Sequence, residues 1–373
     1  MTDTAKPRTK VLIIAHDARA TGGVNNFLRI MRRRLRGRID ATRFSNGPRH
    51  NEKGKIRILA RMAWDYARFV GVVSRKNFDV LHINPTFDMR SLPREVVFVW
   101  LSRIFSPKTK VVLFFRGWDW NAVSAVQDSP VRRKLFLTTL NKVDRVLLLS
   151  DTFKAGLVKL GVPGDKVFRT TTMFEGAVLR DVQATNIPKA LQTLLFLCRF
   201  MPAKGGLEVI EAFSRIASNF PMARLVMAGD GPQRSALEAA AAASGFSNRI
   251  TFTGYVGGVE KMTLLAEAGL FVLPTTHPEG MPNAILEAMA AGEVILTTAV
   301  GGISDIVIDR ENGTILKSQD ADELTEVLLS YLNDPERTAA IGAHNRQIAW
   351  SRWESQIVSD GIGDHYMDLA RGR

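Results

Sequence analysis

Two glutamates that can hydrogen-bond a sugar, Glu279 and Glu287, stand eight positions apart in residues 273–292, which read LPTTHPEGMPNAILEAMAAG. Between them, Pro282 suits the first turn of a helix, where its missing N–H costs nothing, and residues 283–291 have helical composition. A helix start presents free backbone N–H groups and the positive end of the helix dipole, and both favour a phosphate. A phosphate-binding helix start beside two carboxylates predicts a site for a nucleotide-sugar.

A strand and a loop must position the residues of this site. Residues 270–273, LFVL, form the short apolar run of a buried strand. Residues 274–280 are rich in turn formers and predict a loop at the end of that strand. The alternative is an ordinary buried strand–helix unit whose glutamates are merely solvated.

The order EGMPNAILEAMAAG resembles the E-x7-E signature of the retaining GT-B glycosyltransferases, and of glycosyltransferase family 4 (group 1) in particular. The resemblance implies an α/β fold class with two doubly wound Rossmann-like domains facing each other across a cleft. It implies that Glu279 hydrogen-bonds the donor sugar and that Glu287 holds the ribose hydroxyls. The other donor-site positions at this helix start are Met281, Pro282, Asn283 and Ala284.

A second motif of the resembled family, R-x4-K-G, is present as Arg199, Lys204 and Gly205, between a predicted strand and a predicted helix. In the family this motif binds the diphosphate of the donor. Two cations can neutralise such a leaving group, and glycine allows a close approach at a helix start. Exposed loop charges without a ligand are the alternative. The resemblance also implies positions that border the nucleotide base: Gly231, Gly254 and Tyr255.

The first half of the chain opens with a predicted strand, a Gly22-Gly23 turn and a predicted helix over residues 24–35. The dinucleotide fingerprint GxGxxG is absent, so an NAD-binding function is not favoured. By resemblance, Gly22 and Gly23 let the backbone approach the donor diphosphate or the acceptor, since no Cβ intervenes. A simple tight turn is the alternative.

A strand predicted over residues 110–115 ends in Arg116-Gly-Trp-Asp119, and ligands of open α/β sheets gather at such strand ends. In many members of the resembled family the position of Arg116 is a histidine near the transferred sugar. An arginine cannot act as a base, but it can hold a phosphate or an acceptor carboxylate. Asp119 is predicted to contact the acceptor or the sugar.

The net charge of +13 is unevenly distributed along the 373 residues. Residues 1–190 carry 36 Lys and Arg against 15 Asp and Glu, or +21, whereas residues 191–373 carry 14 against 22, or −8. Such asymmetry predicts that the first half meets a polyanion. The predicted basic helix 56–76 contains apolar and aromatic residues, which favours an anionic membrane surface, although a core-packed helix with a solvated basic face is equally compatible. No RNA-binding or zinc-finger pattern is present, so nucleic acid is not predicted as a partner.

The single cysteine, Cys198, rules out an intrachain disulfide framework and fits a reducing compartment. We therefore expect a cytoplasmic location, including the cytoplasmic face of the membrane. The strand–helix alternation predicts one α/β domain over residues 1–175, a linker over 176–190 and a second α/β domain over 191–350. The resemblance implies that the first is the acceptor-side domain and the second the nucleotide-sugar domain. The remaining residues, 351–373, are expected to form a helix that crosses back to the first domain. No metal-ligand spacing of His and Cys is found, and neither a cofactor nor a metal is expected.

These observations predict a retaining glycosyltransferase that moves a sugar from UDP- or GDP-sugar to an acceptor. The expected acceptor is a lipid-linked or polysaccharide intermediate of cell-envelope glycan synthesis. Two other functions remain open. One is a nucleotide-sugar epimerase of the same fold, which needs no acceptor. The other is a non-catalytic protein that binds nucleotide-sugar or lipid.

Overall fold

The computed structural model describes residues 8–15, 23–47, 54–185, 188–277 and 280–372. The strands are β1 Thr9–Ala15, β2 Ile39–Ser45, β3 Val80–Ile83, β4 Thr86–Phe87, β5 Lys110–Phe114, β6 Gly117–Trp118, β7 Arg145–Leu148, β8 Val167–Arg169, β9 Ala190–Leu197, β10 Arg224–Ala228, β11 Ile250–Gly254, β12 Ala268–Leu273, β13 Val294–Thr298 and β14 Gly313–Leu316. The α-helices are α1 Gly23–Arg34, α2 Lys55–Arg75, α3 Leu92–Phe105, α4 Trp120–Gln127, α5 Pro130–Leu140, α6 Asp151–Leu160, α7 Gly176–Gln183, α8 Gly206–Ala217, α9 Arg234–Ala243, α10 Gly258–Glu267, α11 Asn283–Ala291, α12 Ala321–Leu332, α13 Pro335–Arg352 and α14 Ser355–Arg371.

The chain divides into two compact units, Met1–Thr172 together with Ser355–Arg373, and Met173–Glu354. In the first unit, six strands pair in parallel in the order β2-β1-β3-β5-β7-β8. The inner strands β1, β3, β5 and β7 are short, mostly apolar and buried, as parallel strands covered by helices require, whereas the edge strands β2 and β8 are partly exposed. The winding direction reverses between β1 and β3, so the carboxyl ends of these two strands border the crevice of this sheet.

The second unit repeats this architecture with six parallel strands in the order β11-β10-β9-β12-β13-β14. Counted along the chain, this is the order 3-2-1-4-5-6 of the dinucleotide-binding fold, and its direction reverses between β9 and β12. The loops after β9 and β12 therefore lie on either side of the expected ligand crevice. The prediction of two doubly wound Rossmann-like units is confirmed.

The segment predicted as a linker differs from the prediction. Helix α7, Gly176–Gln183, occupies most of residues 176–190, and it belongs to the second unit with Leu179 and Val182 buried. A Cβ on Gly176 would lie 2.6 Å from the Trp350 ring, so the helix packs closely against α13. Eight residues are too few for a helical period to stand out in sequence, which is why the pattern there predicted no element.

The final helix, α14, packs against α1 and β1 and forms part of the first unit. Its Tyr366 is fully buried, and its Asp360 and Asp364 form salt bridges with Arg38, which lies between α1 and β2. Within the described ranges, none of the helices combines the length and the apolar composition needed to cross a bilayer.

Candidate functional site

The loop that follows β9 lies at the crevice of the second sheet and carries the R-x4-K-G motif. Its Ala203 carbonyl accepts three hydrogen bonds from the loop after β12: from Thr276 N at 2.8 Å, Thr275 Oγ1 at 3.1 Å and His277 N at 3.2 Å. These bonds hold the two loops side by side. The structure therefore brings the cationic motif next to the segment that leads into α11.

Gly205 allows this close approach. Its φ is +77°, a left-handed conformation that favours glycine, and it directly precedes the first residue of α8. A Cβ at this position would lie 2.6 Å from Pro274 Cγ and 2.7 Å from the Pro274 carbonyl oxygen. Glycine is therefore required here both by backbone conformation and by space, and it leaves the start of α8 open toward the crevice.

The two cations of the motif have different environments. The side chain of Arg199 is exposed, and no hydrogen bond or salt bridge joins it to any residue within the described ranges. Lys204 is buried in the last turn before Gly205. An exposed guanidinium and a buried ammonium can together neutralise a diphosphate.

The start of α11 supplies the second half of this site. The helix begins at Asn283 with Pro282 as its N-cap residue, and Pro282 makes no side-chain cap hydrogen bond. Met281 is buried, whereas Asn283 and Ala284 are partly exposed. The start of a helix presents backbone N–H groups and the positive end of the helix dipole, which suit an anion.

Glu287 lies one turn into α11, is buried, and pairs with Lys261 on α10 at 2.6 Å (Oε1 to Nζ). Sequence analysis did not identify Lys261, because Lys261 and Glu287 are 26 residues apart on different helices and no local spacing rule relates them. The ion pair fixes the orientation of the carboxylate, so that a second partner would meet a preorganised acceptor.

The residues predicted to border the nucleotide base lie on the loops after β10 and β11. A Cβ on Gly231 would lie 2.3 Å from the Phe200 carbonyl oxygen, so this loop packs directly on the loop after β9. The Gly254 carbonyl accepts from Gly229 N at 2.8 Å, and Tyr255 is 83% exposed. The glycines thus form part of the crevice wall, whereas Tyr255 projects into solvent.

Two of the predicted site residues, Gly22 and Glu279, lie outside the described residues, and their roles stay predictions. Gly23 is the exposed first residue of α1. Asp119 is the N-cap of α4, where its carboxylate accepts from Asn121 N at 2.9 Å. Its predicted contact with the acceptor or sugar is untested, and its carboxylate already serves the helix.

Arg116 follows β5 at the carboxyl edge of the first sheet. Its backbone N–H donates to the Pro85 carbonyl at 2.9 Å, and its guanidinium carbon lies 3.8 Å from the Phe27 ring centroid and 4.3 Å from that of Phe114. Burial lowers the pKa of Arg116 to about 9, so the group remains a cation near neutral pH.

Beside Arg116, Tyr366 and His82 form a buried pair with the Tyr366 hydroxyl 2.5 Å from His82 Nδ1. Burial, and then the charge of Arg116, lower the pKa of His82 to about 3, so the imidazole is neutral at physiological pH. Burial raises the pKa of Tyr366. Sequence reasoning did not find this pair, because 284 residues separate its members.

No group of three or more metal-ligating side chains occurs in the part of the chain that the structure describes. The motif cations Arg199 and Lys204 and the paired carboxylate of Glu287 lie on the elements that follow β9 and β12. This donor set is suited to an anionic ligand.

A family model described as glycosyl transferases group 1 matches residues 179–348. A GDP-mannose-dependent monoacylated alpha-(1-6)-phosphatidylinositol monomannoside mannosyltransferase of Corynebacterium glutamicum is 29% identical over 170 residues, 44% of this chain and 44% of that protein. The chain thus spans less than half the length of this relative. An N-acetyl-alpha-D-glucosaminyl L-malate synthase of Bacillus anthracis is 21% identical over 311 residues, 82% of this chain and 78% of that protein.

Among solved structures, HepE of Anabaena in complex with UDP and glucose matches with a TM-score of 0.73 at 18% identity, over 97% of this chain and 100% of that one. A glycosyltransferase from Rickettsia africae matches with a TM-score of 0.78 at 14% identity, over 98% and 100%. Identities this low establish the fold and nothing further.

Two doubly wound sheets in one chain, the second with cationic and helix-start groups at its switch point, define the GT-B class of fold. Within that class, residues 179–348 match the family model of the glycosyl transferases group 1. The resemblance inferred from the E-x7-E and R-x4-K-G motifs is confirmed.

Proposed function

We propose that the protein is a retaining glycosyltransferase that takes a sugar from UDP- or GDP-sugar and passes it to an acceptor. The observation that carries this proposal is the pairing of two loops at the switch point of the second sheet. Through the Ala203 carbonyl, the loop with Arg199 and Lys204 is bonded to the loop that enters α11. Two cations and two helix starts in one crevice match the charge of a diphosphate.

In this proposal catalysis is mainly electrostatic. As the bond from the sugar to the diphosphate breaks, Arg199 and Lys204 neutralise the charge that develops on the leaving group, and the N–H groups at the start of α11 add to this. Glu287, oriented by Lys261, holds the ribose hydroxyls, and Glu279 hydrogen-bonds the donor sugar. No metal is needed, because the cations and helix dipoles supply the positive charge. Departure and attack on the same face of the sugar retain its configuration.

The first experiment is thermal stabilisation by UDP, GDP, ADP, CMP and NAD, each with and without EDTA. A ligand that binds only the folded protein at 100 times its Kd stabilises by about 2.7 kcal/mol. We expect a shift with UDP or GDP that survives EDTA. A shift with NAD alone, or with none of the nucleotides, would count against a donor site.

Incubation with the donor alone separates the three candidate functions. A transferase releases sugar slowly by hydrolysis, whereas an epimerase converts the donor to its epimer. A binding protein shifts in melting temperature but leaves the donor intact. The configuration of the transferred sugar, read by NMR, tests retention.

The acceptor in this proposal is a lipid-linked or polysaccharide intermediate of cell-envelope glycan synthesis, met at the cytoplasmic face of the membrane. The support is helix α2, on which Ile56, Leu59 and Trp64 are 84%, 64% and 58% exposed. Exposed basic side chains, Lys55 and Arg57, stand among them. Exposed apolar and basic groups on one helix suit an anionic interface.

Sedimentation with vesicles tests this surface. At low salt, we expect the protein to bind vesicles that contain phosphatidylglycerol, and not vesicles of phosphatidylcholine alone. Ile56→Ser with Trp64→Ser should weaken binding strongly, because two of the three exposed apolar residues are lost. Met222→Ser, which removes an apolar residue 72% exposed on the second unit, is the control. Equal sedimentation of all three proteins would contradict the assignment of α2.

A further inference from the structure

The guanidinium of Arg116 lacks a hydrogen-bond acceptor. Its Nη1 is buried without a partner, and no salt bridge joins the side chain to any residue in the ranges that the structure describes. Arg103 of the same unit, by contrast, donates to Lys142 O, Thr109 O and Asp144. A buried N–H donor without a partner is costly, so this group calls for an explanation.

The two rings around Arg116 stabilise its charge but not its donors. Phe27 and Phe114 lie within 4.3 Å of the guanidinium carbon and attract the cation electrostatically. Neither ring offers an oxygen, so the rings leave the N–H donors of Arg116 without an acceptor. The rings also fix the position of the guanidinium, which reduces the entropy that a ligand must offset on binding.

The polar groups next to Arg116 are neutral. The His82–Tyr366 pair carries no charge, and Asn84 is anchored through Nδ2 to the Ile14 carbonyl at 3.0 Å. Asn84 also hydrogen-bonds His82 through its side chain. The cluster is therefore one positive charge beside neutral polar groups, at the carboxyl ends of β1, β3 and β5, where ligands of such sheets bind.

We propose that Arg116 binds an oxyanion on the acceptor, a carboxylate or a phosphate, and so selects anionic over neutral acceptors. A guanidinium pairs with either group through two parallel N–H···O bonds, which supplies both the missing acceptors and the missing countercharge. The inference rests on the proposed glycosyl transfer and names the acceptor class of that reaction. The small β4–β6 sheet places Arg116, since it pairs Thr86–Phe87 with Gly117–Trp118 immediately beside it.

The test compares three probes that differ in charge at one position: glucose, glucuronate and glucose 6-phosphate. Each is titrated calorimetrically into the protein with saturating UDP, which occupies the donor site, and again without nucleotide. We expect the wild type to prefer one anionic probe to glucose. Arg116→Met should weaken binding of that probe by about 30-fold or more, the usual effect of removing one member of a buried charge pair, and should leave glucose binding unchanged. The better anionic probe distinguishes a carboxylate site from a phosphate site.

Two variants keep the result interpretable. Arg116→Lys retains the charge without the bidentate geometry, so it should bind the anion more weakly than the wild type and more tightly than Arg116→Met. Arg145→Met is the matched control: Arg145 also lies over a phenylalanine, Phe168 at 4.6 Å, but at the amino end of β7 and with His365 as its hydrogen-bond partner. It should leave anion binding unchanged.

Equal affinity of the wild type for glucose and both anions would overturn the proposal. So would an Arg116→Met variant that only lowers the melting temperature, since that outcome makes Arg116 a packing residue. Failure of the proposed function has a different signature: the wild type then shows no shift with any nucleotide, while the titrations without nucleotide still report on Arg116.

Discussion

Replacing Arg199 by alanine is expected to lower kcat/KM for the donor about 100- to 1,000-fold, the usual effect of removing one preorganised group that stabilises developing negative charge. The side chain is exposed and has no hydrogen bond or ion pair within the described ranges, so its loss should scarcely change the melting temperature. Donor hydrolysis or transfer, measured with the nucleotide found by thermal shift, gives the rate.

The matched control is Arg224→Ala. Arg224 is also an exposed arginine of the second unit, but it is the first residue of β10 and so lies at the opposite, amino edge of the sheet. It should retain full activity. A fall in kcat with little change in KM places Arg199 at the leaving group in the transition state, whereas a rise in KM alone indicates uniform binding. Unchanged kcat/KM in Arg199→Ala means that this residue does not hold the diphosphate.

Much of the donor site was predictable because its residues are close in sequence to the elements that place them. Arg199, Lys204 and Gly205 lie between one strand and one helix, and Met281 to Ala284 form one helix start. Apolar strand runs alternating with helices also predict doubly wound sheets, since parallel strands need covering helices.

The features that sequence reasoning missed all depend on long-range contacts. Lys261 meets Glu287 only because α10 packs beside α11, and Tyr366 reaches His82 from the far end of the chain. The three hydrogen bonds to the Ala203 carbonyl come from two backbone N–H groups and one threonine hydroxyl, which are too common in sequences to indicate a contact. No spacing rule predicts such contacts, so the hydrogen bonding between the two loops could be found only from the structure.

The joining of these loops leads to the second large expected effect: Gly205→Ala should abolish nucleotide binding. A Cβ there would lie 2.7 Å from the Pro274 carbonyl oxygen, which is backbone and cannot rotate away. The loops after β9 and β12 must then separate, and the hydrogen bonds to Ala203 lengthen or break. Because the proposed diphosphate site consists of these two loops, we expect the UDP- or GDP-induced thermal shift to disappear and kcat/KM to fall at least 100-fold, on the order of the loss of one transition-state donor.

Gly245→Ala is the control that separates the effect of the steric clash with Pro274 from the effect of backbone strain. Gly245 has a φ of +76°, nearly identical to the +77° of Gly205, but a Cβ there meets nothing within 4 Å. Both variants therefore carry the left-handed penalty of about 1–2 kcal/mol, and only Gly205→Ala adds the clash. We expect Gly245→Ala to melt at a lower temperature yet keep its nucleotide shift and its activity. If Gly205→Ala behaves in the same way, the joining of the two loops does not determine donor binding; if it alone loses the shift, the crevice of the second sheet is the donor site.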